Sequence, residues 1–443
     1  MKQHGQLGIA IIGCGTVGGA AAALLEEDRE ALSQKTGLSI SLKYIVDVDF
    51  TYAESLGLSS DLFEKDLGRV LGDDEVKVVA ELVGGTTLAG DIVKRCLEAK
   101  KHVVTANKAL LAHHGPELFA SARKNGVTLA FEASCGGGIP IVRALYDGLT
   151  ANRIDALYGI VNGTCNFILT EMIQKGVTYS EALSDAQRTG LAEADPTLDV
   201  SGMDSAHKLT ILASLAFQKR VNLEDIPVEG IDSLELSDVV FGQELGYIVK
   251  LLAIAQRTEG GISLRVRPAF IGTDHPLAWI SGPFNAVSVY GHAVGHTMYY
   301  GRGAGGRPTA SAVVSDILSV ALGSVPAAFE SLTIWPDQTD ETRLLPTDDI
   351  ESRYYLRLMV MDEPGVFARI AEILGAQRIS LSSVLQKEPS APKGETAIVP
   401  VVITTHTARE GNVRTALKAL DSLDEVVEQS VCISILDEHE ENI

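Results

Sequence analysis

Residues 7–12 form a short apolar, isoleucine-rich run, and Gly13-Cys14-Gly15-Thr16-Val17-Gly18-Gly19 follows it directly. Residues 20–32 are alanine-rich and favour a helix. A buried strand, three spaced glycines and a helix leave few folds open. Gly13 permits the tight turn, Gly15 lets a pyrophosphate approach the backbone, and Gly18 lets the helix pack on the strand. The backbone N–H groups of Cys14, Thr16 and Val17 then face the anion at a helix N-terminus. The same spacing occurs in glycine turns that bind nothing. The flanking strand and helix are what give it weight.

A second predicted strand, residues 41–46, ends at Asp47, a carboxylate placed to accept from a ribose hydroxyl. No Arg or Lys lies between Asp47 and Glu64, which favours NAD over NADP. Further strands at 76–83, 102–105 and 127–132 alternate with helices at 91–99 and 116–124. This predicts an α/β, Rossmann-type doubly wound parallel sheet over residues 1–150, with a helix near 306–322 returning to it. Residues 151–335 have a different texture. Alternating stretches at 154–161, 262–270, 286–290 and 295–300 enclose helices at 166–175, 180–189 and 201–216, an α+β second module, to which the family resemblance given below assigns catalysis and dimerisation. Residues 336–353 are polar with two prolines and predict a linker. Residues 354–436 hold two β-α-β units, a ferredoxin-like pattern, and 437–443 form an acidic tail.

Charge and cysteines exclude several functions. The chain has 37 Lys and Arg against 58 Asp and Glu, a net charge of -21. Such a surface repels phosphate backbones and anionic headgroups, so neither nucleic acid nor a membrane is an expected partner. Five cysteines without short metal-type spacing argue against disulfides and zinc. No leader and no membrane-length apolar run is evident, so a cytoplasmic protein is expected.

Two lysines suggest chemistry. Lys108 closes Thr105-Ala-Asn-Lys108, just past a strand, where ligands bind in open parallel sheets. A loop lysine in solvent would look the same. A denser signal runs from Glu193 through Asp195, Asp199 and Asp204 to Lys208. Asp204 and Lys208 are one helical turn apart, the spacing of an ordinary surface ion pair. Here the apolar run 209–215 follows, so the helix is buried and the pair needs a partner or a task. A lysine held by carboxylates can protonate a developing alkoxide. His113, His114, His292 and His296 lack a third ligand and are read as structural. A thiolate enzyme using Cys135 or Cys165, and a nucleotide-sensing regulator, are the competing readings.

Taken in order, these segments resemble the homoserine dehydrogenase family, in its form with a C-terminal ACT domain. They are Gly13 to Gly18, Glu81-Leu-Val-Gly-Gly85, Thr105 to Lys108, Glu132-Ala-Ser-Cys-Gly-Gly-Gly-Ile-Pro140, Asn162-Gly-Thr-Cys-Asn166, Glu193-Ala-Asp-Pro196, Gly202 to Lys208, and Gly301-Arg-Gly-Ala-Gly305. The resemblance implies interconversion of L-aspartate 4-semialdehyde and L-homoserine with NAD or NADP. It implies Lys208 as proton donor, Lys108 near the reacting oxygen, and Asp204 holding Lys208. Glu193 would bind the substrate ammonium, with Asp199, Gly163 and Thr164 close by. Gly84, Gly85, Thr86, Thr105 and Gly303 would border the cofactor. A Na+ or K+ site is implied at Glu132, through side chain or carbonyl, and at the carbonyls of Cys135, Gly137 and Ile139. Asp362, Pro364 and Gly365 fall where ACT domains contact an amino-acid effector, expected to be threonine. A homodimer or homotetramer is expected, and deletion after Ser352 is expected to spare catalysis.

Overall fold

The structure, a computed structural model, describes residues 6–341, 343–387 and 397–440; residues 441–443 of the predicted tail lie outside these. Six parallel strands make the first sheet: β1 (Gln6–Ile12), β2 (Ser39–Val46), β3 (Phe63–Glu64), β4 (Val76–Glu81), β5 (His102–Thr105) and β6 (Leu129–Ala130). Their order is β3-β2-β1-β4-β5-β6. Strand order reverses between β1 and β4, which leaves a crevice at their carboxyl ends. The helix Gly306–Ala321 lies against the helix Thr16–Glu27, and its Val313 and Ile317 share a core with Ile9 and Ile11. A Cβ on Gly306 would come within 3.0 Å of the Thr16 carbonyl, so this approach needs glycine.

The second sheet begins with β7 (Ile154–Ile160), β8 (Tyr247–Thr258), β9 (Gly261–Gly272), β10 (Phe284–Gly291) and β11 (Gly295–Arg302). It continues with β12 (Glu351–Met361), β13 (Leu381–Gln386), β14 (Ile398–Thr405), β15 (Ala408–Arg409) and β16 (Val431–Leu436). The order is β11-β10-β7-β8-β9-β16-β12-β14-β13, with β15 paired to β12. The last four strands of that order, with helices Val366–Ala376 and Glu410–Leu420, are the ferredoxin-like ACT fold. β8 has no alternation to betray it in the sequence, because residues 249–255 are buried on both faces.

Two local departures matter for the site. The helix predicted at 116–124 begins eight residues earlier, as Lys108–Asn125, with the Asn107 side chain accepting from the Leu110 N–H at 3.0 Å. Pro116 sits inside it. Lys108 is therefore the first residue of a capped helix and not part of a loop. The strand predicted at 127–132 is cut to Leu129–Ala130 and followed by a 3-10 turn over Glu132–Ser134.

The ACT module is built into the second sheet. β16 pairs in parallel with β9, Ser434 with Ala269 and Leu436 with Ile271. Arg357 grips Asp238 with both nitrogens, Nε to Oδ1 at 2.7 Å and Nη2 to Oδ2 at 3.0 Å, and Tyr355 donates to the same Oδ1 at 2.9 Å. Arg267 on β9 grips Glu410 of the ACT module, with both bonds at 3.0 Å. Described residues of the predicted linker are tied down as well: Arg220 N donates to Asp340 O at 2.9 Å, and Ile262 N to Arg343 O at 3.0 Å. Deletion after Ser352 would strip an edge from β9 and leave Asp238 buried without its cation. It is therefore not the harmless truncation the sequence suggests. Among the described residues, no single helix is long and apolar enough to cross a membrane.

Asp238 is 1% exposed, and removing its carboxylate leaves the Tyr355 hydroxyl and Arg357 Nε without their partner inside the junction, with Arg357 keeping only Glu235 through Nη2 at 2.8 Å. Asp238→Ala is expected to cost about 3 kcal/mol, read as a lower urea midpoint. An unchanged midpoint would show that the junction does not depend on this pair.

Candidate active site

The glycine turn has the shape a pyrophosphate needs. Gly13 has φ of 92°, and a Cβ there would meet the Leu82 carbonyl at 2.7 Å. A Cβ on Gly18 would overlap the Gly13 carbonyl at 1.8 Å. Gly15 faces open space, at the N-terminus of a helix with no acid in its first turn. These residues fit a dinucleotide. Cys14 donates its N–H to Asp47 Oδ2, and Val48 N donates to Oδ1 at 2.6 Å. Asp47 thus braces the turn as well as standing at the end of β2, and the Cys14 N–H expected to face the anion is committed to this carboxylate instead. Gly84 and Gly85 both take left-handed φ, 84° and 71°, at the end of β4, just before Thr86, the N-cap of the helix Thr87–Glu98.

Buried polar groups join the ends of β4 and β5. Thr105 Oγ1 donates to Glu81 Oε2 at 2.7 Å, and Glu81 Oε1 accepts from Val83 N at 2.9 Å. Asn107 Nδ2 donates to the Gly85 carbonyl at 2.6 Å. This web fixes the first turn of the helix that carries Lys108.

Lys108, Asp204 and Lys208 come together although they arise from different elements. Lys208 Nζ donates to Asp204 Oδ2 at 2.7 Å and to the Val161 carbonyl, just past β7, at 2.6 Å. Lys108 Nζ lies 3.3 Å from the other oxygen, Oδ1. Asn162 Nδ2 reaches Asp204 Oδ2 at 2.9 Å and Asp199 Oδ1 at 2.8 Å. Burial alone would raise the Asp204 carboxyl. The charges of Lys208 and Lys108, with the hydrogen bonds from Lys208 and Asn162, outweigh it and hold the group at about 2. Two lysines against one aspartate leave a local excess of positive charge inside an acidic protein.

Other expected residues lie around this core. Asn162 caps the helix Gly163–Lys175 through Cys165 N, and Thr164 Oγ1 donates to the Leu191 carbonyl at 2.9 Å. That bond ties the 191–196 loop to the site. Glu193 is exposed on this loop, and its carbonyl accepts from Gln187 Nε2 at 3.2 Å. A Cβ on Gly137 would strike the Gly303 carbonyl at 2.7 Å, so the 135–139 and 302–306 turns touch. Asp362, Pro364 and Gly365 are exposed in the ACT module, with Gly365 at φ of 96°. Asn162, Asn107 and Glu81 were within the recognised segments but not singled out. Their roles depend on partners distant in sequence.

The segment expected to hold an alkali-metal ion is itself hydrogen-bonded. Both Glu132 carboxylate oxygens already accept, from Val142 N at 2.9 Å and Arg143 N at 2.8 Å. The Ile139 carbonyl accepts from Ile141 N at 2.8 Å. Cys135 and Cys165 are also poor nucleophiles. Burial pushes the Cys135 thiol up to about 12 and raises Cys165 well above its ordinary value. His113 packs edge-on to His207 at 5.6 Å, and His292 Nδ1 accepts from Arg153 N at 3.0 Å.

Residues 140–318 match the family model for homoserine dehydrogenase, residues 13–132 its NAD-binding domain, and residues 354–425 the ACT domain. A homoserine dehydrogenase of Pseudomonas aeruginosa is 45% identical over 424 residues, 94% of this chain and 96% of that one. The solved homoserine dehydrogenase of Thiobacillus denitrificans superposes with a TM-score of 0.92 at 41% identity, over 98% of this chain and 99% of that chain. The chain belongs to the homoserine dehydrogenase family. Members of this family are oxidoreductases that act on a CH–OH group, so the first module is a nicotinamide-cofactor domain and the lysine cluster lies beside it. A hyperthermophilic archaeal homoserine dehydrogenase solved with NADPH is more distant: 27% identity, TM-score 0.61, 72% of this chain and 98% of that one.

Glu132 and Asp316 supply a pH test. Burial, then the Asp316 charge, pushes the Glu132 carboxyl up to about 7; burial raises Asp316 to about 6. A raised carboxyl favours the folded state while protonated, and that support is lost as pH rises through the folded value. Between about pH 5 and pH 8 the urea midpoint is therefore expected to fall, less so in Glu132→Gln. A midpoint rising across that range would contradict these shifts.

Proposed function

We propose that Lys208 gives the proton when L-aspartate 4-semialdehyde is reduced to L-homoserine, and takes it back in the reverse direction. One observation carries this reading: an ammonium has three N–H groups, and two of them are committed to Asp204 and Val161 O. The third is left for the substrate oxygen. When bound, the nicotinamide supplies or accepts the hydride at the substrate carbon. Asp204 orients both lysines, and Lys108 adds positive charge where the alkoxide develops. Glu193 receives the substrate ammonium, with Asp199 close to the substrate and Gly163 and Thr164 at the adjoining helix N-terminus.

Lys208→Ala is expected to lower kcat roughly 10²–10⁴-fold while cofactor affinity by fluorescence titration stays unchanged. Retained turnover would remove Lys208 from the donor role. We infer a preference for NAD from Asp47 and from the lack of a basic residue between 47 and 64. The archaeal relative's NADPH complex points the other way. Steady-state rates with NADH and NADPH decide it, and a strong NADPH preference would refute the inference.

The ACT module supports regulation by an amino acid, which we take to be threonine. The exposed turn holding Asp362, Pro364 and Gly365 offers one contact, and millimolar threonine is expected to inhibit. We place the enzyme in the cytoplasm on its five free cysteines, and as a homodimer or homotetramer on the exposed edge strand β11 with Met298 and Tyr300.

A further inference from the structure

Arg265 on β9 is a buried cation without a counter-ion. It is 2% exposed. Its Nη1 donates to Ser263 Oγ at 2.7 Å and its Nη2 to Gln256 Oε1 at 3.1 Å, while Nε has no partner. Among the described residues, no carboxylate oxygen lies within ion-pair distance of it. Arg267, two residues along β9, is paired with Glu410 and with Glu229. Burial, then the Arg267 charge, pushes the Arg265 guanidinium down to about 10. A lone charge in such a place is costly unless something anionic joins it.

Something anionic has room to do so. Arg265 lines a cavity of about 380 Å³ between the second module, the start of β12 and the acidic tail. The same cavity is lined by Glu351, Asp437, Glu438 and Glu440, with Arg353 held by Asp437 at 3.0 Å. A doubly charged anion would meet these acids. A zwitterion would not: its carboxylate suits the guanidinium fork, and its ammonium suits the acids.

We propose that this cavity is a second amino-acid site, separate from the turn at residues 362–365, with Arg265 receiving the α-carboxylate. The proposal rests on the regulatory reading of the ACT module. The walls come from both modules, so a ligand here favours one arrangement of them. A physical route to the site exists. Gln256 Nε2 donates to the Tyr158 hydroxyl at 2.8 Å, and Tyr158 lies on β7 three residues before Val161, whose carbonyl holds Lys208.

The test is calorimetric titration of the full-length enzyme with L-threonine, alongside initial rates. L-threonine amide, which lacks the carboxylate, is the control. Wild type and Asp362→Asn are expected to share a binding component that the amide does not show. Arg265→Met is expected to weaken that component at least tenfold, with kcat in the absence of threonine unchanged. Its melting temperature should hold or rise, because an unpaired buried charge is gone; a merely structural arginine would lower it. Arg265→Lys keeps the charge without the fork and should bind weakly, which covers a failure of the Met variant to fold. Arg265→Met titrating like wild type would overturn the site and leave the regulatory reading standing. Binding that Arg265→Met abolishes, without inhibition of wild type, would keep the site and sink regulation. No binding and no inhibition in wild type would overturn both.

Discussion

One carboxylate organises the candidate active site. Asp204 is 4% exposed and holds two lysines, one on each oxygen. An isolated buried aspartate would be neutral, and the buried Lys208 and half-buried Lys108 would repel each other without it. Together they form a cluster that burial strengthens, because the surrounding low dielectric sharpens each attraction. The cluster also draws its members from separate elements. Lys108 comes from the cofactor domain, Asp204 and Lys208 from a buried helix of the second domain, and Val161 O from the end of β7. The domains must be docked for the site to exist, which links packing directly to catalysis.

The second sheet carries the same logic further out. β9 pairs with β8 on one side and with β16 of the ACT module on the other. Hydrogen-bonded strands transmit position more firmly than a flexible linker would. The Asp238–Arg357 and Arg267–Glu410 pairs lock that junction with buried charges, each dependent on its partner. A regulatory module joined this way is mechanically continuous with the strand that ends at the lysine cluster. Arg265 is the exception along this seam, since its neighbour Arg267 has carboxylate counter-ions and Arg265 has none among the described residues.

Much of this was legible in the sequence, and the exceptions have physical causes. The glycine turn announced itself because glycine is required where Gly18 meets the Gly13 carbonyl. Asp204 and Lys208 could be read from their helical spacing ahead of an apolar run. β8 could not be read by alternation, being buried on both faces. The start of the Lys108 helix was obscured by Pro116, which normally signals a boundary. Asn162 acts through Asp199 and Asp204, and no local pattern reports such partners. The parallel pairing of β16 with β9 joins residues more than 160 positions apart, and neither strand carries a mark of it. The Glu132 carboxylate, which resembled an ion ligand, is used by two backbone N–H groups that only the folded turn reveals.

The central claim is that Asp204 and Lys208 act as one unit. A double-mutant cycle with Asp204→Asn, Lys208→Ala and the pair, read as kcat, measures this directly. Residues that act together lose function together, so the double variant is predicted to be little slower than Lys208→Ala alone. Losses that multiply, with each substitution contributing its full factor, would contradict the account.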